Sequence, residues 1–537
     1  MTWTQDLSPS HPWLSFLMAA LPVLFIFWAL ILKRMRGHHA SLLTLAVAVV
    51  IAVLFFRMPV SLALLSALHG MFYGLFPIGC IVVAAMFLFN LTVRAGKFAV
   101  IRQFMAGITP DRRLQALLIA FAFGAFLEGT AGFGAPVAIT AAMLTGLGFN
   151  PLYAAGICLI ANTAPVAFGS IGIPIVVASQ VSGLPEDPIA MMVGRTLPIL
   201  AVVLPLYLVV IMSGWKRAME AGPAVLVAGM VFAFFQWFTA NHLGPMLPDI
   251  IASLATIIAL LILFRFWKPA TIWRFPDERE DVVQMDAAVK RSDILRAMSP
   301  FFLLVVIVLT WGIRPVKELM DAAAMWKIGF PGLDGSILSP AGVPLPQVFK
   351  LNILSASGTA VFIAALLSTP WLGLRAPAVA SVLRETVVQL RNPLVTIASV
   401  LGFAYLVNNS GMSLTLASVI AGSGAWFPLL SPVIGWLGVF ITGSDTSSNA
   451  LFCKVQHDAA VATGMPPVVA VGANVSGGVV GKMISPQSVA VAAAAGGLPG
   501  RESDLFRFTV LHSFLMLAVI CLITLLQVWL AAWVVPG

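Results

Sequence analysis

Two short stretches place carboxyl, hydroxyl and amide groups inside otherwise apolar sequence. The first reads Phe126-Leu127-Glu128-Gly129-Thr130-Ala131-Gly132-Phe133-Gly134-Ala135-Pro136. Its glycines let the chain turn, and Pro136 suits the first turn of a new helix. A helix start held inside a membrane presents free N–H groups and a positive dipole end, which suits a carboxylate. Gly129, Thr130, Gly132 and Gly134 are therefore expected to meet an anionic substrate. The plainer reading is a glycine-rich packing face between helices. Glu128 has no basic neighbour in sequence, and an ionisable group within a membrane segment is functional by default. It is expected to carry a coupled proton; the other reading is a paired or interfacial carboxylate.

The second stretch reads Thr442-Gly443-Ser444-Asp445-Thr446-Ser447-Ser448-Asn449. Ser444, Thr446, Ser447, Ser448 and Asn449 supply donors for a carboxylate and a substrate hydroxyl. Asp445 can exchange a proton, or bind a sodium ion with nearby carbonyls. The plainer reading is a Ser/Asp helix cap. Lys454, His457 and Asp458 follow at i, i+3 and i+4 and share a helix face. Lys454 and Asp458 can neutralise each other, and His457 titrates near neutral pH, so His457 and Asp458 join Glu128 and Asp445 as proton-coupling candidates. A solvated helix end explains the same three residues. Asn162 and Asn474 are expected to supply amides near helix breaks. Lys482, a lone cation in apolar sequence, attracts an anion, pairs with Asp445 or Glu128, or snorkels to the interface. Arg195 and the Asn408-Asn409 pair are weaker candidates, and Arg195 is better suited to a packed ion pair or an interfacial anchor.

The elements that must hold these residues repeat. Ala161-Asn162, Gly169 and Pro174 recur as Ala473-Asn474, Gly481 and Pro486, an offset of 312 positions (473 − 161) at every residue. Repeated, helix-breaking, polar stretches in an apolar chain point to a secondary transporter with its site between two halves. The composition agrees. Only 9% of the 537 residues are charged and 60% are hydrophobic, whereas soluble domains carry about 25% charged residues. Mean hydropathy is +1.01, so the chain is a polytopic membrane protein. Its net charge of +9 lies in short loops and is no nucleic-acid signal. The four cysteines are scattered without metal-ligand spacing. No Walker loop, nucleophile elbow, zinc-protease motif or dinucleotide fingerprint is present, so neither a cofactor, a metal nor an enzymatic activity is expected.

Spanning segments are expected near 13–32, 40–56, 70–92, 189–212, 222–240, 249–265, 299–314, 349–373, 393–410, 427–442 and 507–533. Regions 114–178 and 443–496 are apolar but broken, and each reads as a re-entrant hairpin followed by a discontinuous helix. The fold expected is an all-α polytopic membrane protein with two inverted-topology repeats and roughly 12–14 membrane segments. Its parts would be N-terminal scaffold helices (1–110), a first transport-core repeat (111–188) and further scaffold helices (189–392) with a cytoplasmic linker at 266–298. A second repeat (393–500) and a C-terminal helix (501–537) complete it. The inversion comes from charge. The first repeat starts after Arg94, Lys97, Arg102, Arg112 and Arg113 and ends beside an acidic turn. The second starts after an uncharged segment and ends near Arg501 and Arg507. With the basic loops inside, the N-terminus is periplasmic.

At both cores the sequence resembles the bacterial lactate permease family. The resemblance rests on Gly124-Ala125-Phe126-Leu127-Glu128-Gly129-Thr130-Ala131-Gly132-Phe133-Gly134-Ala135-Pro136-Val137-Ala138-Ile139, on Ala161-Asn162-Thr163-Ala164-Pro165-Val166-Ala167-Phe168-Gly169, and on Gly443-Ser444-Asp445-Thr446-Ser447-Ser448-Asn449. It implies a bacterial inner-membrane carrier of L-lactate, D-lactate and glycolate, coupled to protons, whose mobile core moves elevator-like against a scaffold. The partners expected are a small monocarboxylate, protons and the lipid bilayer, with a homodimer left open and no nucleic acid. The competing readings are sodium coupling, another organic anion, a channel, and a membrane-embedded enzyme. The last leaves the inverted repeat unexplained.

Overall fold

The structure is a computed structural model and describes residues 2–6, 11–132, 134–275, 290–498, 500–529 and 534–536. Phe133 of the first core and the linker charges Asp277, Glu278, Arg279, Glu280, Asp281 and Asp286 lie outside the described residues. Apolar runs become helices here because a helix satisfies every backbone group within the segment, which hydrocarbon cannot do. Among the described residues, 12 helices are long and apolar enough to cross a membrane. The span expected at 349–373 begins differently: Val348–Asn352 is a strand, and the helix that follows, Ser357–Leu372, has 16 residues. That strand pairs antiparallel with Met325–Gly329, and Trp3–Thr4 pairs parallel with Ile337–Leu338. Strands of this kind are tolerated where the chain has left the hydrocarbon region.

The helix Ala376–Asn409 serves as a ruler, its 34 residues spanning about 51 Å. Helix Val60–Arg94 runs antiparallel to it, so that Arg94 meets Glu385 at 3.7 Å and Ser66 accepts from Asn409 at 3.0 Å. The basic loops gather at the Glu385 end. There Arg113, fully buried, bonds Asp111 (2.7 Å), Glu220 (3.0 Å) and the carbonyls of Arg217 (2.6 Å) and Thr271 (2.8 Å). The N-terminus lies at the opposite end, where Gln5 donates to the carbonyls of Asn408 (2.8 Å) and Asn409 (3.0 Å).

Two hairpins enter from these opposite ends. The first has arms Arg112–Thr130 and Ala135–Gly146. Its arms run side by side, Gly124 facing Thr140 across them. Its base sits at the basic end, where the Arg112 guanidinium lies 5.7 Å from the Phe149 ring centre. The helix that follows is split, with Pro151–Ala161 bent by 63° against 166–182. It finishes at the other end, where Val181 accepts from Asn408 at 3.4 Å. The second hairpin has arms Phe427–Thr442 and Asp445–Thr463, joined across by Ser448 Oγ donating to the Gly435 carbonyl at 3.1 Å. Its base lies near the Asn409 end, with Ser413 bonded to Asp458 at 3.3 Å. Its split helix, Pro467–Gly481 then Pro486–Gly496, returns to the base of the first hairpin, where Gly496 accepts from Thr145 at 3.3 Å. The two repeats thus run in opposite directions, as the loop charges indicate.

The breaks themselves are not equivalent. The first extends from Asn162, the C-cap of its half-helix, through Ser170, Ile171 and Gly172, all at positive φ. The second is confined to Lys482-Met483-Ile484 and an extended Ser485. Asn474 therefore lies inside a continuous helix rather than at a break. Gly477 and Gly478 do not interrupt it because neighbouring atoms fill the space where their side chains would be, the Pro432 backbone at Gly477 and the Asp445 carboxylate at Gly478.

Candidate functional site

The hairpin tips and both breaks enclose one cavity of about 160 Å³. Glu128, Gly134, Gly169, Ser170 and Pro174 line it from the first repeat. Ser444, Asp445, Thr446, Lys482, Gln487 and Ser488 line it from the second, and Pro393 from the Ala376–Asn409 helix. Three helices of 11–19 residues begin at this cavity, after Gly134, Ser444 and Ser485. Each brings a positive dipole end to the space, although caps and prolines account for most of the first-turn N–H positions. Drug-sized ligands occupy pockets of about 300–1,000 Å³, so this one suits a solute of a few heavy atoms.

Glu128 and Lys482 meet on its wall. Lys482 Nζ lies 2.7 Å from Glu128 Oε1, with side chains 11% and 4% exposed. Asn162 Nδ2 donates to the other oxygen, Oε2, at 2.9 Å. A buried pair is sustained when further hydrogen bonds complete its partners, and Asn162 supplies that bond. Asp445 is arranged differently. Its Oδ2 accepts from Asn449 at 3.3 Å, while Oδ1 has no partner. Ser444 caps the helix by accepting from the Ser447 N–H at 3.3 Å, so the cap and the cavity lining are the same residue.

Behind Asp445 runs a chain of amides. Asn449 Nδ2 also donates to the Pro174 carbonyl (3.1 Å), in the other repeat. Asn474 Nδ2 donates to Asn449 Oδ1 (2.9 Å), and Gln456 Nε2 to Asn474 Oδ1 (3.2 Å). Asn162, Asn449 and Asn474 thus position cavity residues without lining the cavity themselves. Four other candidates pack around the tips. Thr130 donates to the Phe126 carbonyl at 2.9 Å, and Ser448 is spent on Gly435. Gly132 abuts Ser170, and Gly129 abuts Asp249. Ser447 contributes its backbone N–H to the cap.

His457 and Asp458 are placed elsewhere. Asp458 accepts from Lys454 at 2.5 Å and lies 3.0 Å from His457. These three residues sit at the base of the second hairpin, and Asp458 is 13 residues beyond Asp445, a rise of about 20 Å. Arg195 donates to Asn241 at 2.8 Å and to the Val534 carbonyl, an anchoring role.

Four polar residues at or near the site carry weaker sequence signals. Gln487 and Ser488 follow the cap Ser485-Pro486, a helix-start signature that marks them in retrospect. Asp249 and Gln236 are fully buried beside the first tip, and nothing in their spacing separates them from an ordinary first-turn acid and a helix-face amide.

Opposed hairpins and split helices around a small polar cavity, inside a bundle of membrane spans, define a membrane transporter. The chain belongs to the L-lactate permease family, whose model matches residues 15–531. It is 50% identical to the L-lactate permease of Bacillus subtilis (strain 168), with 100% of both chains covered. It is 48% identical to the glycolate permease GlcA of Escherichia coli (strain K12), with 98% of each covered. Such relatives are permeases, not enzymes. Among solved structures it is similar to the YdaH transporter of Alcanivorax borkumensis, at 14% identity and a TM-score of 0.50 over 98% of this chain and 100% of that one. That likeness concerns the fold alone.

Proposed function

We propose that the protein imports small 2-hydroxymonocarboxylates (L-lactate, D-lactate and glycolate) with protons across the bacterial inner membrane. The observation that carries this is the cavity itself: small, lined in part by charged and hydroxyl side chains, and shared by two oppositely directed repeats. The names of the permeases similar to this chain support the substrate class. In this proposal the substrate carboxylate faces Lys482 and the helix starts, and Ser444, Thr446 and Ser488 serve its hydroxyl. The hairpins and split helices form the moving core, and the remaining helices the scaffold.

Asp445 is the proton carrier in this scheme. Asp445 lines the cavity, and its Oδ1, which has no hydrogen-bond partner, lies against Gly478, so the carboxyl can take up a proton when the substrate anion arrives beside it. Glu128 has both oxygens engaged and serves to hold Lys482 in place. His457 and Asp458 take no part. A monocarboxylate moving with one proton transfers no net charge, so ΔpH drives uptake. The test is uptake of labelled L-lactate, D-lactate and glycolate into proteoliposomes under an imposed pH or sodium gradient. ΔpH-driven accumulation is expected; sodium-dependent uptake indifferent to protons would sink the proposal.

A further inference from the structure

Asp249 is a carboxyl with no part in that cycle. It stands in the first turn of the helix Pro248–Phe266 and is fully buried. The tip of the first hairpin packs directly on it: a side chain at Gly129 would lie 2.8 Å from Asp249 Cβ and 3.3 Å from the Ile250 backbone nitrogen. An acid in a first turn ordinarily accepts from free N–H groups of its own helix. Here neither Asp249 oxygen accepts a well-formed hydrogen bond, and the donor beside it, the Gln236 amide, is also given to the Ala164 carbonyl.

The neighbouring groups have the same shortage. Gln236, on helix Gly222–His242, lies beside Asp249. Its Nε2 donates to the Ala164 carbonyl at 2.9 Å, inside the break of the first split helix. Its Oε1 has no partner, and neither does Oδ1 of Asn162 in the same break. Exchanging the oxygen and nitrogen of Gln236 is disfavoured, because an oxygen would then face the Ala164 carbonyl. Every unpartnered atom of Asp249, Gln236 and Asn162 is an acceptor. A proton on Asp249 would turn one of these acceptors into a donor. A calcium-like cation needs six or more oxygens, and the contact with Gly129 leaves Asp249 tightly packed. A proton needs no extra space.

We propose that Asp249 is a second proton-binding carboxyl, which holds its proton while the first hairpin tip rests on it and releases it when the tip moves away. The charged groups that face it are Glu128 and Lys482. Those two already neutralise each other, so an ionised Asp249 adds an uncompensated charge to a buried, tightly packed contact. Closure of the tip therefore requires the protonated form, and opening lets water take the proton. This inference rests on the proton-coupled carrier proposed above and adds a second proton to its cycle, so that uptake would carry one net positive charge and respond to membrane potential as well as to ΔpH. It makes the break at Ala164, held by Gln236, the link between proton occupancy and the split helix.

The experiment compares D249N with wild type in proteoliposomes by two readouts. One is ΔpH-driven accumulation of L-lactate; the other is exchange of labelled for unlabelled lactate without a gradient. Asparagine mimics the protonated acid but cannot release a proton. D249N should keep exchange to within about twofold and lose accumulation by at least about tenfold. Accumulation at the wild-type level overturns the proposal. If the wild type itself exchanges lactate but ignores ΔpH, the carrier's proton coupling fails instead. Should D249N lose exchange as well, infrared spectra of isotope-labelled aspartate in D445N decide. A protonated aspartic band that disappears on alkalinisation supports Asp249; a carboxylate throughout overturns it.

Discussion

Lys482 and Glu128 stand 354 positions apart and meet at 2.7 Å, one from each repeat, on the wall of a shared cavity. The pair joins the first hairpin tip to the break of the second split helix. It therefore bears on the packing of that tip against the break and, in the function proposed, on the cation available to an anionic substrate.

Glu128→Gln should damage stability more than the loss of one hydrogen bond would, because it leaves Lys482 buried without a counter-charge. Breaking one partner of a buried pair costs about 3–5 kcal/mol. The double variant E128Q/K482M should recover much of that stability and still fail to accumulate lactate. Thermal unfolding in detergent measures the first effect and vesicle uptake the second. Additive losses in the double-mutant cycle would show that the two residues are not coupled.

Asp445→Asn separates carrying a proton from binding substrate. The amide keeps the shape and the bond with Asn449 but cannot release a proton. Exchange of lactate should persist while ΔpH-driven accumulation drops at least about tenfold. Full proton-driven accumulation in D445N would remove Asp445 from the carrier role.

Gly478→Ala sets helix propensity against sterics. Alanine in a helix interior is favoured over glycine by about 1 kcal/mol. At Gly478, however, the added carbon would clash with Asp445 Oδ1, displacing the carboxyl of this cavity-lining residue. The expected outcome is lower lactate uptake with stability little changed. Unaltered uptake kinetics would mean that the position of this carboxyl does not matter.

These residues show which parts of the site are legible in sequence. The tips are legible because glycine, hydroxyl and carboxylate crowd together where an apolar run should continue, and Lys482 because a lone cation there needs a partner. The opposite directions of the repeats are legible from loop charge. The place of His457 and Asp458 is not: their spacing shows a shared helix face, but whether that face lies at the tip or the base depends on which way the hairpin enters. Asn474 falls in the same class, since Gly477 and Gly478 look like a break and are instead close-packing positions. Asp249 is hidden for another reason. A first-turn acid after Pro248 is ordinary, and only burial against Gly129 makes its lack of donors consequential.

Ser444→Ala tests whether cap and site coincide. Removing an N-cap side chain costs about 1 kcal/mol of stability, and here it also removes a hydroxyl from the cavity. L-lactate should bind more weakly, with KM raised several-fold and a smaller change in maximal rate. Ser444→Asp restores the cap but adds a charge beside Asp445, so stability should return and uptake should not. If S444D transports like wild type, Ser444 is a cap only.

Membrane sidedness can be read from two positions on the helix ruler. Thr4 is exposed near the Asn409 end, and Lys216 is exposed beside the Arg113 cluster at the other. Translocating Lys and Arg is unfavourable, so the orientation proposed has the basic loops in the cytoplasm and expects Thr4 in the periplasm. Single cysteines, T4C and K216C, would be made in a background lacking Cys80, Cys158, Cys453 and Cys521. A membrane-impermeant thiol reagent applied to whole spheroplasts should label T4C, and label K216C only after the membrane is opened. The reverse pattern would invert the whole assignment, and with it the side from which each hairpin enters: the first hairpin, with its base at Arg112, would then open outward and the second inward. Labelling of both positions in sealed cells would contradict the separation of the two ends by the bilayer, since the helix between Glu385 and Asn409 would no longer have to cross it.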